Sequence, residues 1–517
     1  MLKPLRRLAS MKLRLKRSLF LVHRWFGVFM CSLFALWFAT GVIMMYVEYP
    51  ELTEEERLAT LPSIDFGRVT LSAKQAVAAS GLHGQLAAVS LASAGARPAY
   101  RIRSDQGEVI VVYADDGLLV AGRSPAVALA TVQHSGFAAP DVAPRYDGLI
   151  NVDQWTVSTV LDEHRPLHRV IVGDARGTVV YVSSSTGQIV RDTDRVERLW
   201  NWIGSTIHWI YPFELRRHGE IWSNLLIYLS VAGIVSVATG AVIGFLRLRV
   251  SRRYRGNRVS PYAGVGKWHH LLGLLGLVFL STFIFSGLMS MSPWGLFDSA
   301  NSEAEQIRRY TGGSIDSLGV FPPLERPALG SDDNVKEVEW RLIAGMGHLV
   351  FSRSAQDREV VIAGLRGSEA QLELRRRIQR AAPAFLPGVA MLEGALVESY
   401  DNYYYSRHNR YRPLPAYRVR FNDAESTWFY VDLRTGGVVL RYTTAARVQR
   451  WLYNGLHSLD FWFLIRQGVI WDGTVIVVCI LGSLFAATAV ALGWRRVVRS
   501  GGHPRPRPRA AAADASH

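Results

Sequence analysis

The sequence predicts a membrane α-helical protein: four transmembrane helices from two tandem repeats, each repeat carrying an α+β domain outside the membrane. Three observations predict it: four long apolar blocks, a one-sided distribution of basic residues, and self-similarity at a nearly constant offset. Apolar residues make up 49% of the 517, but they pool at 19–47, 222–246, 268–291 and 469–494. Each block has the ~20 residues that cross ~30 Å of hydrocarbon. None holds Asp, Glu, Lys or Arg at its centre.

The formal net charge of +16 invites a nucleic-acid reading, but its placement is an orientation signal. Residues 1–18 carry Lys3, Arg6, Arg7, Lys12, Arg14, Lys16 and Arg17. The 247–267 loop carries Arg247, Arg249, Arg252, Arg253, Arg255, Arg258 and Lys267. The Pro/Arg-rich 495–517 tail adds Arg495, Arg496, Arg499, Arg505, Arg507 and Arg509, and Asp514 is the only carboxylate side chain in all three segments. Basic loops stay in the cytoplasm. Both termini and 247–267 are therefore expected inside a bacterial inner membrane, with 48–221 and 292–468 in the periplasm. The lipid bilayer is the expected partner, and nucleic acid is not. The first block is too long for a signal-peptide core and lacks an Ala-x-Ala exit, so it reads as an uncleaved anchor. The two cysteines, Cys31 and Cys479, both lie in apolar blocks, which leaves the outer regions without disulfides or a Cys-x-x-Cys-His haem attachment.

Comparing the chain with itself gives the repeat. Leu21-Val22-His23-Arg24-Trp25-Phe26-Gly27 opens the first block. Lys267-Trp268-His269-His270-Leu271-Leu272-Gly273 opens the third, at an offset of 246 that persists to Thr40-Gly41 and Ser286-Gly287. His208 and Trp222 are 14 residues apart, as are His457 and Trp471, at an offset of 249. Arg195-Val196-Glu197-Arg198 is matched with Arg447-Val448-Gln449-Arg450, and Arg165-Pro166-Leu167 with Arg412-Pro413-Leu414. Halves of two spans insert in the same sense, so a pseudo-twofold axis along the membrane normal is expected. Equivalent residues then face each other at one depth. In 48–198 and 292–446 the pattern changes to short alternating strands before glycine turns, as at Val109–Tyr113, Val179–Val182 and Trp428–Asp432. Helical stretches such as Ser72–Ser80 precede some of them. The expected unit is a small antiparallel sheet with one helix on a face, about two units in each half. Segments 199–221 and 447–468 are expected as interfacial helices.

The repeat also sorts the 14 histidines. Only His23 with His269, and His208 with His457, fall at equivalent positions. The first pair belongs to the cytoplasmic ends of spans one and three, the second to the outer side ahead of spans two and four. Each pair can converge on one object. An iron porphyrin takes one neutral imidazole on each face, whereas zinc wants three or four ligands and no third ligand repeats. Two haem b groups are therefore expected, ligated by His23, His269, His208 and His457, with Gly27, Gly273, Gly41 and Gly287 leaving room. The plain alternative for each histidine is an interfacial polar residue. His270 reads as interfacial or as the true ligand in place of His269, and Arg24 as an interface anchor or a propionate partner. Met45 and Met291 repeat too and read as packing. Spans of about 24 residues are ~36 Å long, so a centre near each face would divide the electron's path. No charged group lines the spans as in ion-coupled pumps.

Several motifs together resemble the PepSY-associated transmembrane family. They are His23-Arg24-Trp25-Phe26-Gly27, Val112-Tyr113-x-Asp115-x-Gly117, Tyr430-Val431-Asp432-x-x-Thr435-Gly436 and Gly455-Leu456-His457-Ser458-Leu459-Asp460-Phe461. The resemblance implies PepSY-like periplasmic domains and an inner-membrane, haem-bearing reductase that helps release iron from ferric siderophores. It also implies that His23, His269, His208 and His457 hold the haem. The outer regions carry no pattern that names a siderophore.

No Gly-x-Gly-x-x-Gly follows a strand, and the cytoplasmic segments are too short for a reductase domain. Electrons are expected from a quinol or a separate cytoplasmic reductase. The acceptor is expected on the outer face. The stretch Tyr403–Arg412, with Tyr404, Arg407 and Tyr411, is aromatic and basic enough to hold a ferric chelate, or is an ordinary half-buried strand and loop. The competing class is a cofactor-free anchor whose outer domains bind a periplasmic protease or envelope component. A transporter ranks third.

Overall fold

The computed structural model describes residues 2–122, 124–138, 142–315, 321–322, 324, 334–407 and 411–501, without the side chains of 2–10 and 499–501. Most of the expected 495–517 tail, and His408, Asn409 and Arg410 of the aromatic stretch, lie outside the described residues. The chain opens with α1 (Leu2–Tyr46), then α2 (Glu54–Thr60) and α3 (Ala73–Ser80). A meander β1 (Leu86–Ala94), β2 (Arg97–Ser104), β3 (Val109–Tyr113) follows, then α4 (Pro125–Gln133). Next come β4 (Arg145–Ile150), β5 (Leu167–Ile171), β6 (Val179–Ser183) and β7 (Ile189–Thr193). The chain continues through α5 (Arg195–Asn201), a π-helical turn at Trp202–Thr206, α6 (Phe213–Arg216) and α7 (Gly219–Arg247).

The same kinds of element then return in the same order. They are α8 (Gly264–Leu275), α9 (Leu277–Ser290), α10 (Glu303–Thr311), β8 (Glu337–Ile343), β9 (Met346–Ser352), β10 (Arg358–Val361) and α11 (Gly367–Ala381). After β11 (Met391–Val397), β12 (Ala416–Phe421), β13 (Trp428–Asp432) and β14 (Val438–Tyr442) come α12 (Thr444–Arg450) and a second π-helical turn at Trp451–Gly455. The chain closes through α13 (Leu456–Ser458), α14 (Trp462–Ile465) and α15 (Val469–Gly501).

Residues 11–46 of α1, with α7 and α15, form three helices long and apolar enough to cross a membrane. The block expected as one straight span at 268–291 is instead two helices, α8 and α9, meeting at 69° around Gly276. A glycine there leaves the backbone free to leave helical geometry. α1 packs on α7 and α15, α9 on α7, and α8 on α15, which closes a four-sided bundle. Phe29, Tyr228, Val278 and Ile480 are exposed on its outside, as lipid-facing side chains are. These helices and the α+β regions make the chain a membrane protein.

Outside the bundle the sheets depart from the expected pattern of separate units in each half. β1–β3 and β8–β10 share one six-stranded antiparallel sheet, in the order β10-β9-β8-β1-β2-β3. Ser90 sits opposite Glu339, Val89 opposite Trp340 and Leu91 opposite Val338. Ser90 and Glu339 are also 249 residues apart, as His208 and His457 are, so β1 and β8 meet at matching positions of the two halves. Each would otherwise be an open edge with unpaired amides. Val89, Leu91, Tyr100, Ile102, Val338, Trp340 and Phe351 form the core on one face. Two four-stranded sheets complete the fold, β4–β7 with α4 and β11–β14 with α11.

The sheets also correct two matches made from sequence. β5 begins at Leu167 and β12 at Ala416, while α5 begins at Arg195 and α12 at Thr444, all at the 249 offset of the histidines. Pairing Arg165-Pro166-Leu167 with Arg412-Pro413-Leu414 therefore slips by two residues, and pairing Arg195–Arg198 with Arg447–Arg450 by three. The helix starts are set by caps of different chemistry: Asp194 accepts from Glu197 N, and Thr443 from Ala446 N. Recurring arginines misled the match.

Candidate functional site

Each π-helical turn leads to one of the histidines ahead of α7 and α15, His208 or His457. Downstream of His208 the chain reverses through Ile210, and downstream of His457 through Leu459, both at positive φ (48° and 55°). Each span then pins its turn with an indole: Trp222 Nε1 donates to Trp209 O at 2.9 Å, and Trp471 Nε1 to Ser458 O at 2.9 Å. The 14-residue spacing between histidine and tryptophan is the reach of this clamp. It brings the His208 and His457 rings to a centre separation of 6.2 Å. On the other side His23, from α1, and His269, from α8, have ring centres 6.4 Å apart. Both pairs that the repeat put together meet in the fold.

The hydrogen bonds of the four rings share one logic. Thr40 Oγ1 gives its proton to Leu36 O at 2.8 Å, so at 3.0 Å it can only accept from His208 Nδ1. Ser286 Oγ donates to Phe283 O at 3.0 Å and accepts from His457 Nδ1 at 3.0 Å. Thr488 Oγ1 donates to Phe485 O at 2.6 Å and faces His269 Nδ1 at 3.2 Å. His23 Nδ1 donates to the Ser236 carbonyl at 3.1 Å. These acceptors require the Nδ1–H tautomer, which leaves each Nε2 lone pair available for a metal. Among the described residues none of these four Nε2 atoms has a hydrogen bond. One metal ion between two such nitrogens puts the ring centres about 6 Å apart, from two bonds of about 2 Å and roughly 1 Å from each nitrogen to its ring centre.

Small residues accommodate the rings. A Cβ on Gly41 would lie 3.7 Å from His208 Cε1, and one on Gly287 3.7 Å from His457 Cε1. At Gly240 it would lie 2.6 Å from His23 Cε1, closer than atoms can sit. His269 stacks on Phe485, centres 4.9 Å apart. His270, the alternative on the same helix, is placed differently. Its Nε2 donates to Gly244 O at 2.9 Å and its Nδ1 meets Ser260 Oγ at 2.8 Å, which occupies both nitrogens. Arg24 Nε is buried without a partner, its guanidinium 6.0 Å from the Trp25 ring centre. Among the described residues no group of three or more His, Cys, Asp or Glu is placed to hold a metal ion. Each pair brings together two imidazoles and no third such group.

The family model for the PepSY-associated TM region matches residues 20–496, a stretch that contains all four histidines and both outer regions. The chain belongs to the PepSY-associated TM region family. A search of curated proteins found no match.

This PepSY-associated TM chain does not present the expected aromatic stretch as one surface. Tyr404 is fully buried, stacked on Tyr430 at 4.8 Å and donating to Pro413 O at 2.5 Å. Its ring belongs to the core of the β11–β14 sheet, because a strand-flanking tyrosine gains more from burial than from water. Arg407 pairs with the buried Asp460, to which Tyr405 also donates at 2.9 Å. Tyr411 is exposed, with the Arg434 guanidinium 5.6 Å from its ring centre. The residues that sequence reasoning missed are Ser236, Gly240, Thr488 and Phe485, all on α7 and α15. Thr40 and Ser286 had been read only as marks of the repeat. A hydroxyl beside a glycine in both halves, Thr40-Gly41 and Ser286-Gly287, was the available signal.

Proposed function

We propose that this chain is a four-span protein of the bacterial inner membrane, formed by tandem duplication, that carries two b-type haems between its halves and reduces a ferric chelate in the periplasm. The bent α8–α9 pair serves as the third span. The observation that carries the reading is the shared Nδ1–H tautomer of His23, His269, His208 and His457, together with ring separations of 6.4 and 6.2 Å. Bis-imidazole ligation needs that tautomer and that spacing. Haem, when bound, supplies one-electron chemistry. The chain's own residues do the rest. Four imidazoles supply Nε2 ligands; the Thr40, Ser286 and Thr488 hydroxyls and the Ser236 carbonyl fix their orientation; the apolar bundle keeps water away. Electrons enter on the basic, cytoplasmic side from a quinol or a separate reductase.

The visible spectrum of detergent-purified protein tests this. We expect a Soret band with sharp α and β bands after dithionite, about half of it lost in His23→Ala or His269→Ala and unchanged in His270→Ala. A colourless preparation from haem-replete cells rejects the redox reading.

A further inference from the structure

A small junction lies within the first half beside the six-stranded sheet, and a larger cleft lies between the two halves. In the junction, Leu61, Ser93 and Gly187 close around a space of about 20 Å³. Their equivalents at the 249 offset, Tyr310, Leu342 and Gly436, border a cleft of about 490 Å³. Arg57 reaches into the small junction and pairs with Glu337 at 2.5 Å. Its equivalent, Gln306, is 3% exposed, and neither polar atom of its amide has a hydrogen-bond partner.

The open cleft takes residues from both halves, on either side of the Ser90–Glu339 pair. Arg101, Arg103 and Arg341 line it with Glu163, Glu339 and His164. Arg341 Nη2 is held by Glu339 at 2.9 Å, and Arg101 is buried. Arg103 has only a loose partner, Glu163 at 3.8 Å. His164 Nδ1 is buried with no partner, and its Nε2 is 3.7 Å from Glu163. A space in the 300–1,000 Å³ range, with guanidinium forks and an unsatisfied imidazole at its wall, suits a ligand carrying planar oxyanions. We infer that the cleft between the two halves binds a di- or tricarboxylate organic acid, free or as its metal chelate, with Arg103 and His164 as the recognising donors. None of the four paired histidines lines the cleft, so it is a capture site apart from the histidine pairs.

Calorimetric titration of the detergent-purified full chain with citrate, and separately with redox-inert gallium(III) citrate, tests it. We expect saturable binding, weakened at least tenfold in Arg103→Ala and in His164→Ala. Ala87→Trp, which fills the cleft from the exposed start of β1 and removes no hydrogen bond, should weaken it equally. Equal binding of both probes identifies the free acid as ligand; binding of the gallium complex alone identifies the chelate. Binding of neither, or binding unchanged in Arg103→Ala and Ala87→Trp, overturns the inference. The visible spectrum of the same samples separates this from the redox reading: a haem-replete protein that ignores both probes loses only the cleft, and a colourless one that binds them loses only the haem.

Discussion

Gly240 and Thr40 show how single atoms hold the paired imidazoles. A methyl at 240 would meet His23 Cε1 at 2.6 Å. Gly240→Ala must move the ring off the Ser236 carbonyl, at an overpacking cost of about 1–3 kcal/mol. We expect the variant to lose the His23/His269 share of haem absorbance, read as roughly half the haem per protein, and to keep the other share. At Thr40 the hydroxyl is the acceptor that fixes the His208 tautomer. Thr40→Val keeps the shape and removes the acceptor. Orienting partners of this kind are worth about 10–100-fold in ligand affinity, so haem should wash out of the outer-side site in Thr40→Val and stay in Thr40→Ser. Full retention in both would show that the hydroxyl does not orient the ring. The four histidines could be read from the sequence because the same local pattern surrounds both members of each pair. Their partners on α7 and α15 could not, since a hydroxyl or a missing methyl has meaning only once the facing helix is known.

Strands and helix ends decide how the outer domains respond to pH. Asp192 on β7 is mostly buried, and burial, with the Glu56 and Glu197 carboxylates adding, pushes its carboxyl up to about 7. The folded chain therefore holds a proton that the unfolded chain, titrating near 4, releases. Stability from this residue falls as pH rises from about 4 through about 7. Asp192→Asn should raise the thermal midpoint of the purified protein at pH 8 and change it little at pH 4, measured by scanning fluorimetry. A gain of the same size at both pH values would assign the effect to packing. The short apolar runs of β3, β6 and β13 ahead of glycine turns made these strands legible, although β6 and β13 are buried on both faces rather than alternating. The bend between α8 and α9 was not legible. An apolar run gives length but not direction, and Gly276 in a run already holding Gly273 carries no mark of where the chain turns.

Across the whole molecule, the shared sheet and one buried ion pair lock the halves together. Glu337 on β8 is 5% exposed and receives Arg57 from α2 at 2.5 Å, with Arg101 at 3.7 Å. Burial lowers the Arg101 pKa to about 10, so that guanidinium remains a cation at neutral pH. Glu337→Ala would leave the buried Arg101 guanidinium without a carboxylate partner, while Arg57 keeps Glu54 at 2.7 Å, a loss of about 3–5 kcal/mol. We expect a lower thermal midpoint and faster proteolysis in the 48–198 region. A change within the noise of the wild type would mean that this ion pair adds nothing to the other contacts between the halves.

The sequence by itself determined the membrane class, the family and the pairing of the four histidines. Apolar length, basic loops and a repeat offset are properties of the chain in one dimension. The tertiary structure alone decided that the two outer regions share a sheet, that α8 and α9 bend apart, and that His269 rather than His270 keeps a free Nε2. Each of these depends on which groups face each other across a strand pair or a helix contact, and hydrogen-bond partners distant in the chain leave no trace in local pattern.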